Sequence, residues 1–332
     1  MKRKFKCISC AKKMTVLILV IAILLVSVMT GCSYNSAPKK VADKKKSIKI
    51  GLCFDSFVIE RWLRDRDTFV TTAKELGAKV NVQNANGDVK EQISQIDYLI
   101  SQNVDVIVII AVDCEAISDA VKRAKNKGIS VISYDRLIKN VDIDLYISFD
   151  NETVGRDMGK AMKHALPHGG KIFEINGSSA DDNVIRVEKA FKQEISKAGI
   201  DIVYSDYCKG WSAKAAGEYV EKALEKYPDV DGIMCGNDDL ASEVARVLSE
   251  NRLSGKVALI GQDADLLACQ RIVEGTQKMT EFKKVEELAK TAAYFAVKIA
   301  KGEKYYKAGD SGQKKENDEK NSDYIATKKI DN

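Results

Sequence analysis

Between Ser47 and Ala300 short β-branched runs alternate with longer stretches of helical periodicity, and this alternation limits the possible folds more than any other feature. Strands are predicted at 48–54, 79–83, 106–111, 130–134, 171–175, 202–207, 232–235 and 257–260. Helices are predicted at 59–76, 92–102, 117–127, 184–198, 213–227 and 240–251, with a last long one at 284–300. Repeated βα units of this kind make parallel sheets covered by helices on both faces. Leu76-Gly77-Ala78, Lys127-Gly128-Ile129 and Ala198-Gly199-Ile200 each put glycine between a helix and a strand, where a left-handed cap is needed. The series pauses near 145–151 and restarts, which predicts two α/β halves. Tyr324 to Thr327 reads as a short final strand.

Ligands of open parallel sheets bind beyond the carboxyl ends of the strands, so the residues just after each strand carry the functional information. They are Phe54-Asp55-Ser56-Phe57 with Glu60-Arg61-Trp62, Asp135-Arg136, the run from Asn176 to Asn183, Gly210-Trp211, Gly236-Asn237-Asp238-Asp239, Gly261-Gln262-Asp263-Ala264-Asp265 and Phe282-Lys283. Singly these are weak signals. Asp182, Asp238 and Asp265 read equally well as helix caps, the charged run from Glu60 to Asp67 as a solvated helix face, and Trp62 and Trp211 as packing residues. Together they repeat one mixture of carboxylates, amides, cations and indoles at the same edge of both halves. That mixture suits a neutral sugar, whose hydroxyls donate and accept to planar polar groups and whose C–H faces pack on indole. A phosphate-binding glycine loop and a G-x-S-x-G nucleophile turn are both absent from the sequence. A glycosidase needs only two carboxylates at the right separation, which a sequence does not measure.

Upstream, Lys2, Arg3, Lys4, Lys6, Lys12 and Lys13 precede 17 uncharged residues, Met14 to Thr30, that run into Gly31-Cys32. This is the charge order of an export signal, and Val28-Met29-Thr30-Gly31-Cys32 resembles a bacterial lipobox. Cleavage before Cys32 would leave a diacylglycerol on that cysteine, anchored by roughly 0.8 kcal/mol per buried methylene. The competing reading, an uncleaved membrane span, needs about 20 apolar residues. Removing residues 1–31 takes away six of 53 basic residues and none of 48 acidic ones, leaving 47 against 48 and a net charge of −1. The overall basicity therefore belongs to the signal, and nucleic acid loses its support as a partner. Cys7-x-x-Cys10 lies in the same discarded segment. Cys53, Cys114, Cys208, Cys235 and Cys269 are read as buried free thiols. With only His164 and His168, flanking Pro167 after a helical stretch, a zinc site or a His-based triad has little raw material, and no metal or cofactor is expected.

Over roughly 48–302 the chain resembles the ribose-type (type I) periplasmic sugar-binding proteins, most specifically their D-xylose-binding branch. The stretches that carry the resemblance are Glu60-Arg61-Trp62 with Asp65-Arg66-Asp67, Leu76 to Val80, Tyr134-Asp135-Arg136, Asp142-Ile143-Asp144, Ser148 to Glu152, Asn237-Asp238, Leu253 to Val257 and Gly261 to Asp265. The resemblance implies sugar contacts at Arg61, Asp135, Arg136, Asn183, Asn237, Asp263 and Lys283, with Asp181 close by and Trp62 and Trp211 as two aromatic walls. It also implies two doubly wound lobes joined by three crossovers, with hinge closure over the sugar. The expected division is a signal at 1–31, the lipidated Cys32 and tether at 32–46, a first lobe at 47–149 plus 283–305, a second lobe at 150–282 plus 324–332, and a mobile polar segment at 306–323. Phe282-Lys283-Lys284 stands where relatives carry Tyr-Lys-Pro, and the chain stops at Asn332 where relatives continue, which predicts a shortened second lobe.

The expected function is that of a lipid-anchored extracytoplasmic receptor for a pentose, most specifically D-xylose, without catalytic activity. Its membrane partner would be an ABC permease or, alternatively, a sensor histidine kinase. A glycoside-acting enzyme is the remote competitor. A DNA-binding regulator of the same fold would need a helical headpiece where the signal stands.

Overall fold

The computed structural model describes residues 47–303 and the backbone of 324–327. The predicted signal, Cys32 and its tether, the polar segment 306–323 and the terminal residues 328–332 lie outside the described residues.

Two parallel sheets are built by the same winding. The first runs β2 (Ala78–Asn84), β1 (Ile48–Phe54), β3 (Val106–Ile109), β4 (Ser130–Tyr134), β5 (Leu145–Phe149); the second runs β7 (Ile200–Tyr207), β6 (Gly170–Asn176), β8 (Gly232–Cys235), β9 (Ala258–Gln262), β10 (Met279–Glu281). In each, the strand order reverses beside the first strand, between β1 and β3 and between β6 and β8, so each lobe opens a crevice at the carboxyl ends there. Helices α1 (Arg61–Glu75), α2 (Val89–Ser101) and α3 (Ser118–Asn126) belong to the first lobe. The second lobe holds α4 (Asn151–Ala165), α5 (Asp182–Ile195), α6 (Ala213–Lys226), α7 (Asp238–Glu250) and α8 (Leu266–Val273). Helix α9 (Val285–Ala300) returns to the first lobe against α1 and the first sheet. Its buried stripe, Val285, Leu288, Ala289, Ala292, Ala293, Ala296 and Val297, is mostly alanine, which lets the two helices approach closely.

The helix ends follow their sequence signals. Gly77, Gly128 and Gly199 have φ of 86°, 76° and 68°, the left-handed region that the glycines were expected to supply. The capping oxygens lie one residue before two of the aspartates read as caps. Asp181, not Asp182, accepts from the Asn183 amide, and Asn237, not Asp238, accepts from the Leu240 amide, while Asp265 occupies the cap position of α8 without a side-chain bond.

Strand β11 (Tyr324–Thr327) corrects the expected division. It pairs antiparallel with β5, Tyr324 opposite Phe149 and Thr327 opposite Tyr146, and so extends the first sheet instead of joining the second lobe. A four-residue run contains no information about which distant edge it will pair with. The pause expected at 145–151 is strand β5, which β4 reaches through a loop with no helix, so the alternation is broken there. The fully buried LYISF run is nonetheless an interior strand of the sheet.

Cys53, Cys114, Cys208 and Cys235 are buried free thiols, and burial pushes those of Cys53 and Cys208 up to about 12, where they stay protonated. Cys269 departs from the expectation: it is exposed, on the solvent side of α8, whose only buried residue is Ala268. Among the described residues no helix is long and apolar enough to cross a membrane.

Candidate functional site

The residues after the strands converge on a cleft between the lobes. From the first lobe come Arg61 and Trp62 at the start of α1 and Asp135 and Arg136 after β4. The second contributes Asp181 and Asn183 at the start of α5, Trp211 after β7, Asn237 after β8 and Asp263 after β9, and Lys283 stands where the chain crosses back. The ten residues that the resemblance implies as sugar contacts or walls all line this cavity, whereas Asp55, Glu60, Asp238, Asp239 and Asp265, also at strand ends, are not among its lining. Trp62 and Trp211 are 2% and 8% exposed, so they are packing residues and cavity walls at once.

Three of these residues reach the cleft through left-handed backbone: Asp135 (φ 61°), Trp211 (φ 59°) and Asp263 (φ 105°). Aspartate tolerates this region better than most residues, whereas for a tryptophan it costs on the order of 1–3 kcal/mol, which the surrounding packing must offset. The Trp211 amide is held by the Cys208 carbonyl at 2.9 Å and that of Asp263 by the Glu281 carbonyl at 2.8 Å.

Each cation in the cleft already faces carboxylates. Arg61 Nη2 lies 2.7 Å from Asp135 Oδ2 and 3.3 Å from Asp65 Oδ1, and its Nη1 is 3.9 Å from Asp263 Oδ1. Tyr134 donates a short hydrogen bond to Asp65 from behind. Arg136 places Nη1 2.7 Å from Asp55 and Nε 2.7 Å from Asp181, and donates to the Ala111 carbonyl at 3.1 Å. Lys283 Nζ is 2.6 Å from Asp263 Oδ1, close enough for an ion pair although the angle falls outside hydrogen-bond geometry. The change from Tyr-Lys-Pro to Phe282-Lys283-Lys284 thus leaves the lysine at the cavity, with Phe282 exposed.

Burial works against the charge of Arg61, but Asp135, Asp65 and Asp263 together hold its pKa well above the ordinary value. For Asp135 burial acts upward and the nearby Arg61 and Lys283 outweigh it, so the carboxylate is held below its usual range. Asp181 behaves oppositely: burial pushes it up to about 6, with Arg136 opposing and Asp135 adding to the rise. Three cations, Arg61, Arg136 and Lys283, stand against five carboxylates, Asp55, Asp65, Asp135, Asp181 and Asp263. An anion would find no cation to spare. A neutral ligand rich in hydroxyls meets both donors and acceptors.

Several buried polar atoms in the cleft have no hydrogen-bond partner among the described residues: Asn176 Nδ2, Gln262 Oε1, and Nε1 of Trp62 and Trp211. Such atoms are costly unless something polar meets them, at about 1–3 kcal/mol each. Asn176 and Gln262 stood among the strand-end residues of the sequence. Ile59, Asn151, Val184, Val187 and Met234 also line the cavity and were not picked out. The apolar four look like core residues in any sequence. Asn151 had a signal, since it lies at the pause between the halves. Its Nδ2 donates to Asn183 Oδ1 at 2.9 Å, which turns the Asn183 amide nitrogen toward Asp135 at 3.0 Å.

The lobes touch across the cleft at its rim as well. Lys139 of the first lobe is 2.6 Å from Asp182 of the second, the Cys114 amide donates to the Ala180 carbonyl at 3.1 Å, and Arg64 lies 3.6 Å from Asp265. No cluster of metal-ligating side chains occurs among the described residues.

Residues 50–304 match the family model described as a periplasmic binding protein domain. The chain belongs to this periplasmic binding protein family. It is 44% identical over 264 residues to the D-xylose-binding periplasmic protein of Haemophilus influenzae, covering 78% of this chain and 79% of that one. It is 42% identical over 268 residues to the D-xylose-binding periplasmic protein of Escherichia coli, covering 79% and 81%. Among solved structures, an ABC transporter solute-binding protein of Mycobacterium smegmatis with bound glycerol superposes with a TM-score of 0.74 at 28% identity, over 78% of this chain and 90% of that one. As in other periplasmic binding proteins of type I, two α/β lobes face each other across the cleft.

Proposed function

We propose that this periplasmic binding protein is an extracytoplasmic receptor for a pentose, D-xylose in particular, and that it carries no catalytic activity. The observation that carries this reading is the charge-paired cleft: Arg61, Arg136 and Lys283 are each locked to carboxylates, and the amides of Asn176 and Gln262 keep buried atoms without a protein partner. Planar groups held this way meet sugar hydroxyls in pairs, at fixed angles and without a net charge to satisfy. The two xylose-binding relatives support the choice of sugar. Calorimetry against xylose, arabinose, ribose, glucose and galactose tests it, with xylose expected to bind tightest; equal affinity for all five, or none for xylose, overturns it.

A glycosidase pairs a carboxyl of raised pKa with an ionised one, and Asp181 and Asp135 are displaced in those directions. Both, however, are clamped: Asp135 by Arg61 and Asn183, Asp181 by Arg136 and the Asn183 amide. Neither is free to pass a proton to a leaving group, and incubation with pentosides is expected to yield no release of sugar.

The closed receptor engages an ABC permease in this reading, since ligand acts by binding the closed form more tightly. Co-purification from membranes distinguishes a permease from a sensor kinase as the partner. Lipid anchoring rests on the lipobox at Cys32. Cys32→Ser is expected to move the protein from the membrane fraction to the soluble fraction, and an unchanged distribution rejects the anchor.

A further inference from the structure

Gly177, directly after β6, is buried and its φ is not in the left-handed region, so its backbone does not demand a glycine. What demands it is space. A Cβ at this position would lie 2.3 Å from Cη2, 2.5 Å from Cζ3 and 2.6 Å from Cζ2 of Trp211. Carbon atoms in contact settle at about 3.5–4.0 Å, so a methyl here requires the indole to move by more than about 1 Å. Nor does the strand end have room to retreat: Gly236 closes on it from β8, so tightly that a Cβ on Gly236 would lie 2.5 Å from the Gly177 nitrogen. Trp211 is itself pinned at its backbone, by φ 59° and by the bond to Cys208, and the open side of its ring is the cleft. Across that ring the Arg136 guanidinium carbon lies 5.7 Å from the indole centroid and 5.5 Å from that of Trp62.

We propose that Gly177 is the seat of the Trp211 wall: its missing side chain lets the indole lie back on the end of β6, and this sets the width of the cleft beside Arg136. Gly177 is thus a positioning residue that acts through Trp211, an inference that rests on the sugar-binding reading for its consequence in affinity.

The test is a double-mutant cycle in the full chain, read by calorimetry with D-xylose. Gly177→Ala alone is expected to weaken binding at least tenfold. In the Trp211→Phe background, where the far ring atoms that meet the added methyl are gone, the same substitution is expected to change affinity less than twofold. Equal losses in both backgrounds, or no loss in either, overturn the proposal. Should Gly177→Ala alone fail to fold, the double variant is expected to fold and to bind like Trp211→Phe, and its failure to fold likewise overturns the seat. A wild-type protein that binds none of the five sugars defeats the functional reading instead. The seat is then tested without ligand in a Trp62→Phe protein, whose one remaining tryptophan is Trp211. A shifted emission spectrum on adding Gly177→Ala supports the seat, and an unshifted one overturns it.

Discussion

Arg136 Nε lies 2.7 Å from Asp181 Oδ2, an ion pair that joins the first lobe to the second inside the cleft, with both side chains 3% exposed. The same guanidinium reaches Asp55 at 2.7 Å, so one cation holds two buried carboxylates from opposite sides. A buried charge is tolerable only when its partners saturate it, and removing one partner leaves the others stranded.

Arg136→Ala strands Asp55 and Asp181 together. It is expected to destabilise the protein by about 3–5 kcal/mol, read as a lower urea midpoint, and to abolish sugar binding. Arg136→Lys keeps the charge but lacks the planar fork, and an intermediate loss is expected.

Asp263→Ala removes the carboxylate that meets Lys283 at 2.6 Å and Arg61 at 3.9 Å. Affinity is expected to fall by about 1–3 kcal/mol, measured by calorimetry. Unchanged affinity removes Asp263 from the sugar site.

Asn151→Ala trims one side chain from the cavity lining and frees Asn183, whose orientation the Asn151 amide sets. A loss of about 0.5–1.5 kcal/mol in binding is expected, with little change in melting temperature. A large drop in melting temperature instead marks Asn151 as a purely structural hinge residue.

Stability should depend on pH through the acidic group beside the rim. Burial, with Asp263, Asp238, Asp239 and Glu60 adding, pushes Asp265 up to about 7. A carboxyl raised above its unfolded value of about 3.8 binds its proton more tightly in the folded state, so its contribution to stability falls as pH rises from about 4 to 7 and stays low above that. Asp265→Asn has no charge to bury. Its melting temperature relative to wild type is expected to rise between pH 4 and pH 8, by about 2–4 °C per kcal/mol of relief. A difference independent of pH contradicts the assignment.

The strand-end logic located the cleft because it depends on local features. Asp135-Arg136, Asn237 and Asp263 each follow a recognisable strand, and the winding of an open parallel sheet brings such positions to one edge. Val184, Val187 and Met234 were illegible for the converse reason, since a side chain that lines a cavity and one that fills a core obey the same periodicity. Strand β11 shows the limit on topology: its existence was readable in Tyr324 to Thr327, its partner β5 was not.

By itself the sequence determined the two α/β halves, the glycine caps at 77, 128 and 199, and most of the polar residues that line the cleft. These depend on repeats and turns within a few residues of one another. Only the tertiary structure decided which carboxylate meets which cation. Arg61 pairs with Asp135 across 74 residues and Arg136 with Asp55 across 81, so both pairings, like the fit of Trp211 on Gly177, arise when each lobe is wound. Contacts at such separations are set by packing in three dimensions, where the pKa of Asp181 and the width of the cleft are also set.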